Sequence, residues 1–291
     1  MLKKITHKIE QVEANYWLAR ERRAYESKRR QEQKRVQKEQ RDLETKKLLF
    51  YSQFVPGSSL CFDIGANVGN RTKLFLLLGA HVVAVEPQED CAHRLNTIFG
   101  SNRRFRLVNK AVGSLEGQAE IFLTNENTIS SMSRDWIKAV KTSGRFGNYS
   151  WDHSRTVQVT TLDNLIDEYG VPEFIKIDVE GFEREVVSGL SKSVKTISVE
   201  FTPEFLDSTL NCIEHLKTIG PIELNYSIGE SMELALKSWT TPEELMRLLK
   251  AVPNDARFFG DVYIRFLEED HFNKAIEAIK RKWQQLMIII R

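Results

Sequence analysis

Phe62-Asp63-Ile64-Gly65-Ala66-Asn67-Val68-Gly69 decides how the rest of the chain is read. The apolar run Leu60–Ile64 enters a Gly-x-x-x-Gly turn, and Asn70–Leu78 follows with helix-forming residues up to Gly79. A strand that passes through glycines into a helix leaves bare backbone and a helix N-terminus at the carboxyl end of the strand. In open α/β sheets ligands bind at that edge.

Outward from this unit the alternation continues. His81–Glu86 reads as a second strand, Glu89–Phe99 as a helix stopped by Gly100, and Phe105–Asn109 as a third strand. Ala119–Leu123 and Thr156–Thr160 alternate with period two around a long polar stretch rich in Ser, Asn and Gly. Phe174–Asp178 predicts a buried strand with a helix from about Phe182, and Thr196–Phe201 another with a helix near Leu206–Thr218. Ile222–Ser227 and Val262–Phe266 predict a closing pair, and Asn273 to about Ile289 a final helix. Strands alternating with helices predict a doubly wound, mostly parallel sheet.

The turn chemistry selects between two nucleotide cofactors. A dinucleotide site needs Gly-x-Gly-x-x-Gly and room for a pyrophosphate. Gly65-x-x-x-Gly69 has the wrong spacing, and Asp63 beside it repels phosphate. S-adenosylmethionine carries an ammonium and a sulfonium, which an acid at the turn suits. Its carboxylate suits a helix N-terminus. Glu86, at the end of the second strand, is placed to accept hydrogen bonds from two ribose hydroxyls.

A second segment, Ile175-Lys176-Ile177-Asp178-Val179-Glu180-Gly181, carries charge at the carboxyl end of a strand. Period two puts Lys176 and Asp178 on one side, with Glu180 just beyond. Buried without purpose such groups are costly. Asp178 is the first candidate to orient an acceptor hydroxyl or take its proton, Glu180 the second, and Lys176 their partner. A purely structural pairing of Lys176 with Asp178 or Glu180 is the competing reading. Two acids two residues apart are weak evidence for a metal, and none is expected. Glu200 and His153 are further acceptor-side candidates. Ser130, Ser131, Trp136, Tyr149 and Trp151 lie in the polar stretch, where local packing explains them equally well. Asp163 is expected to cap the short helix Asn164–Tyr169.

The ordered set FDIGANVG, VEP at Val85–Pro87, NKAVG at Asn109–Gly113, TLDNL at Thr161–Leu165 and IKIDVEGFE at Ile175–Glu183 resembles FkbM-type S-adenosylmethionine-dependent methyltransferases. The likeness covers about residues 58–267. It implies a class I methyltransferase fold, with a seven-stranded sheet whose last strand is antiparallel. It also implies methyl transfer, typically to a hydroxyl of a sugar or secondary metabolite. By that resemblance Asp63, Gly65, Ala66, Asn67 and Gly69 form the loop on the amino-acid side of the cofactor. Glu86 is the ribose acid, and Asn109 and Ala111 line the wall near adenine. For Asn67 and Asn109 turn chemistry is the competing reading.

Residues 1–48 lie outside the likeness. They hold 15 Lys or Arg against 8 Asp or Glu in a chain of net charge +2, so the body is mildly acidic. The arm has neither Gly nor Pro, which predicts one long helix. Leu2, Ile5, Ile9, Val12 and Tyr16 form a short heptad seam, which suits a second copy or a partner protein, with a solvated helical arm as the competing reading. Interspersed acids argue against nucleic acid. The expected organisation is an arm at 1–48, a methyltransferase domain at 49–270 and a helix at 271–291. Three scattered cysteines, no apolar leader and no apolar run long enough to span a bilayer point to the cytoplasm. The expected acceptor is a small molecule or glycan. Two other readings are a nucleic-acid methyltransferase gripping substrate with the arm, and a non-catalytic cofactor-binding scaffold. The missing prolines after Asp178 and an acidic cleft disfavour the first.

Overall fold

The computed structural model describes residues 2–124, 129–251 and 258–267, without the side chains of 2–21, 23 and 24. Contacts divide the chain into two units, 1–49 and 50–291. The first unit is helical: α1 runs Leu2–Tyr51, and its last two residues belong to the second unit. Its charges pair along the helix, Arg22 with Glu26 at 3.2 Å and Arg35 with Glu32 at 2.6 Å. Exposed pairs at this spacing each add only about 0.2–0.5 kcal/mol to helix stability. The apolar seam at Leu2 to Tyr16 and the expected helix at 271–291 lie outside the described side chains and residues.

In the second unit the elements follow as β1 (Leu60–Ile64), α2 (Asn70–Leu77), β2 (His81–Val85), α3 (Glu89–Phe99), β3 (Phe105–Val108), β4 (Ala111–Val112), β5 (Gly117–Leu123), α4 (Arg134–Ser143) and β6 (His153–Thr160). Then come α5 (Leu162–Tyr169), β7 (Phe174–Ile177), α6 (Glu183–Ser188), β8 (Thr196–Phe201), α7 (Leu206–Ile219), β9 (Ile222–Ile228), α8 (Pro242–Lys250) and β10 (Gly260–Phe266). The main sheet has seven strands in the order β3-β2-β1-β7-β8-β10-β9. All neighbours are parallel except β10, which runs against both β8 and β9. The expected closing pair is therefore present, and this is the class I methyltransferase topology. No described helix is long and apolar enough to cross a membrane.

Near-continuous apolar strands explain why the sheet is buried on both faces. On one face Phe62, Ile64, Ile175, Ile177, Ile197 and Val199 pack against Val186, Val187, Ile213 and Leu216 of α6 and α7. On the other, Phe54 stacks between Phe174 and Tyr263, at centroid distances of 5.5 and 4.9 Å. Tyr51 and Phe75 complete that aromatic layer. Above it the register aligns a polar row, Asp63 with Lys176, Lys176 with Ser198, and Ser198 with Tyr263.

Two features depart from the sequence reading. The two expected period-two strands, β5 and β6, flank the polar stretch and join β4 in a small second sheet, but the stretch between them is not all loop: it holds the helix α4. The helix starts because the Ser133 hydroxyl accepts from the Trp136 amide at 3.1 Å, and it buries Trp136 and Val140. The cap of α5 is also corrected. Thr161 accepts from the Asn164 amide at 3.1 Å, whereas Asp163 accepts from the Ser191 amide and hydroxyl at 2.9 and 2.6 Å. Thr161 has the extended backbone a cap requires, and Asp163 is already inside the helix.

Candidate active site

The loop after β1 is built from backbone hydrogen bonds. The Gly65 and Ala66 amides both donate to Val85 O, at 2.9 and 3.1 Å, and the Gly69 amide donates to Ala66 O at 2.8 Å. Gly65 and Gly69 have φ of 79° and 88°, which favours glycine at both. A Cβ on Gly69 would meet Phe99 and Leu95 of α3 at 2.6 and 2.8 Å, so the glycine lets α3 close onto the loop.

Two buried carboxylates flank this loop. Asp63 accepts from the Thr72 hydroxyl at 2.5 Å. Glu86 accepts from the Asn67 amide at 2.8 Å and from the Gln88 amide at 2.9 Å, one on each oxygen. Burial pushes both acids above their usual range, and these hydrogen bonds oppose the rise. Asn109 donates to Glu86 O at 2.8 Å and Pro87 O at 3.3 Å, so its side chain staples the neighbouring turn. Ala111 is buried in β4, paired with Val159. Ser130 donates to Gln88 Oε1 at 3.0 Å, which ties the excursion to the same edge.

The site fits S-adenosylmethionine on its donor set. A carboxylate offers about four acceptor positions. Glu86 spends one per oxygen on backbone amides and a third on the Gln88 side chain, and retains an acceptor position for a hydroxyl. Asp63 would supply the negative charge that a cationic amino-acid moiety requires and a pyrophosphate rejects. Asp63, Gly65 to Gly69 and Glu86 would hold the cofactor, which supplies an electrophilic methyl group on a sulfonium.

The second charged segment joins this loop directly. The Asp178 amide donates to Ile64 O at 3.1 Å. Asp178 is level with Glu200, because Ile177 and Val199 are in register on β7 and β8. Asp178, Glu180 and Glu200 are half-buried, and one carboxylate oxygen of each lies within 4.8 Å of the others. Burial, then the charge of Asp178, raises Glu180 and Glu200 well above the usual carboxylate range. Lys176 is fully buried, at 3.3 Å from Asp178 Oδ2 and 2.8 Å from Asp261 Oδ1. Burial alone would lower its ammonium. Asp178 and Asp261 together hold it well above its ordinary value. No ion pair joins Lys176 to Glu180 among the described residues, so that alternative pairing is replaced by one with Asp261.

Further contacts shape the acid segment and its surroundings, and Glu183, Arg145 and Glu204 are the residues that sequence reasoning left aside. Glu183 accepts from the Val179 and Gly181 amides at 3.2 and 3.1 Å and braces the turn. Glu180 itself has φ of 53°, and the Ser131 hydroxyl donates to its carbonyl at 2.6 Å. Arg145 clamps Glu204 with two bonds, at 2.7 and 3.0 Å, and so ties the end of α4 to the chain after β8. An acid in the first turn of a helix, as Glu183 is at the start of α6, was a readable signal. The other candidates do not join the cluster. His153 is exposed at the start of β6, paired with Leu123. Trp136 is buried edge-on to Trp151 at 6.2 Å, and the Trp151 indole donates to Ile129 O at 3.0 Å.

Topology and site together define a class I, S-adenosylmethionine-dependent methyltransferase. Similar solved structures are distant. A precorrin-6Y C5,15-methyltransferase from Geobacter metallireducens is 11% identical, with 76% of this chain and 87% of that one covered and a TM-score of 0.41. A methyltransferase from Streptococcus mutans in complex with SAH is 12% identical, with 76% and 95% covered and a TM-score of 0.35. No curated protein matches. The methyltransferase FkbM domain matches residues 63–228, more than half of the chain, and the protein belongs to that family.

Proposed function

We propose that this methyltransferase acts on a hydroxyl oxygen of a sugar, glycan or secondary metabolite. The observation that carries the reading is the group Asp178, Glu180 and Glu200, within 4.8 Å, beside the cofactor loop. An alcohol is a poor nucleophile while it keeps its proton. Asp178 accepts that proton or orients the hydroxyl, with the Lys176 ammonium beside it. Glu180 and Glu200 lie within 4.8 Å of Asp178 and offer further polar contacts to a polyol. A general base contributes about a hundredfold or more, and alignment several kcal/mol. An acid floor of this kind repels phosphate, which argues against a nucleic-acid acceptor.

The test is incubation with methyl-labelled S-adenosylmethionine and a fractionated lysate, followed by separation into glycan, small-molecule, nucleic-acid and protein pools. Label is expected in glycan or small molecules as a methyl ether. Label confined to RNA, or cofactor binding without any transfer, would defeat the reading.

A further inference from the structure

The strand that runs the wrong way carries a residue of the site. Because β10 is antiparallel, its first residues stand where β8 ends, and Asp261 is in register with Glu200. Asp261 lies outside the segment matched by the family. Its Oδ1 is the nearer partner of the buried Lys176 ammonium, at 2.8 Å against 3.3 Å for Asp178 Oδ2. The Tyr263 hydroxyl donates to its Oδ2 at 3.4 Å, and the ammonium's third contact is Ile177 O at 3.4 Å. The ammonium is therefore drawn towards β10 and touches only one oxygen of Asp178. Asp178 Oδ1 has no hydrogen bond or ion pair among the described residues.

We propose that Asp261 is a positioning residue of the methyl transfer. Acting through Lys176, it restrains the ammonium to one oxygen of Asp178 and leaves the other to take the acceptor hydroxyl. The proposal rests on the assignment of Asp178 to the acceptor side. A lysine amine cannot stay buried unpaired. Without Asp261 its remaining carboxylate is Asp178, and the ammonium would close on that group and make it a weaker, less accessible acceptor.

Two measurements on the full chain test this. In the first, Asp261→Asn and Asp178→Asn are made singly and together, with Lys176 intact and with Lys176→Met, and urea unfolding is followed. The two substitutions are expected to be non-additive by about tenfold in the unfolding equilibrium, and additive when Lys176→Met is also present. Additivity with Lys176 intact overturns the link. In the second, label transfer from methyl-labelled S-adenosylmethionine to a panel of methyl glycosides is measured. Asp261→Asn is expected to lower kcat about tenfold or more, with KM and cofactor Kd little changed and partial recovery in Asp261→Glu. Wild-type kcat in Asp261→Asn, or a loss that follows cofactor Kd, overturns the positioning role while the hydroxyl reading stands. If wild type labels no glycoside, the simple-sugar part of the hydroxyl reading falls on its own, and the unfolding cycle still decides whether Asp261 acts on Asp178 through Lys176.

Discussion

Gly65 lies directly against the main chain of Asp178, so that a Cβ on Gly65 would sit 1.9 Å from the Asp178 carbonyl oxygen. The cofactor loop and the acid segment thus meet backbone to backbone. Gly65→Ala adds a clash with a carbonyl that cannot rotate away, in a left-handed conformation at φ 79°. We expect a loss of about 2–4 kcal/mol of stability and little cofactor binding at temperatures where the variant is folded. Thermal unfolding with and without S-adenosylmethionine checks both. A variant that is stable and still shifted upward by the cofactor would refute the contact.

Glu86 meets two backbone donors, the Asn67 and Gln88 amides, one on each oxygen. Glu86→Gln puts an NH2 group against one of them. A charge-assisted hydrogen bond is worth about 1.5–3 kcal/mol, so cofactor affinity should fall about ten- to a hundredfold. Asp63→Ala should weaken it as well. Calorimetric titration of S-adenosylmethionine reads this directly, and an unchanged Kd in Glu86→Gln would remove Glu86 from the cofactor site.

How far the sequence reached follows from what sets each feature. β1, β2, β7 and β8 are apolar runs bounded by Gly or acid, so chain-local pattern locates them. The closeness of Glu200 to Asp178 depends on the Ile177–Val199 register. Asp261 depends on a strand reversal. Neither is a property of a short segment. α4 was hidden because only Trp136 and Val140 of its ten residues are buried, too few for a clear apolar stripe, although Ser133 and Gly144 mark its ends. Thr161 and Asp163 are both good capping types, and the choice between them was settled by a hydrogen bond two residues away from where propensity pointed.

Asp178 is half-open and joined to one buried cation. Asp178→Asn keeps the shape and the Ile64 contact, which uses the main chain. It removes the acceptor for a hydroxyl proton. Transfer to the natural acceptor should drop about a hundredfold or more, with cofactor Kd within about threefold. Single-turnover label transfer separates the two quantities. A variant that unfolds with no separable defect in transfer would make the Lys176–Asp178 pair purely structural.

Glu183 couples the acid turn to pH. Its carboxyl is buried, and burial pushes it from 4.5 up to about 7 despite the amides of Gly181 and Val179. The unfolded chain ionises near 4.5 while the fold still holds the proton, so the folded state binds more protons between these values. Stability from this group is full below about 4.5 and is lost as pH rises through about 7. At 1.36 kcal/mol per unit the loss is on the order of 3 kcal/mol. Glu183→Gln keeps a carbonyl for the two amides and has no proton to lose. Urea unfolding at about pH 5 and about pH 7.5 should therefore show a smaller decline in Glu183→Gln than in wild type. Glu180 and Glu200 remain in both proteins but feel the charge of Glu183, so the difference reads Glu183 together with its coupling to them. Equal declines in the two proteins would mean that Glu183 is ionised in the fold at neutral pH.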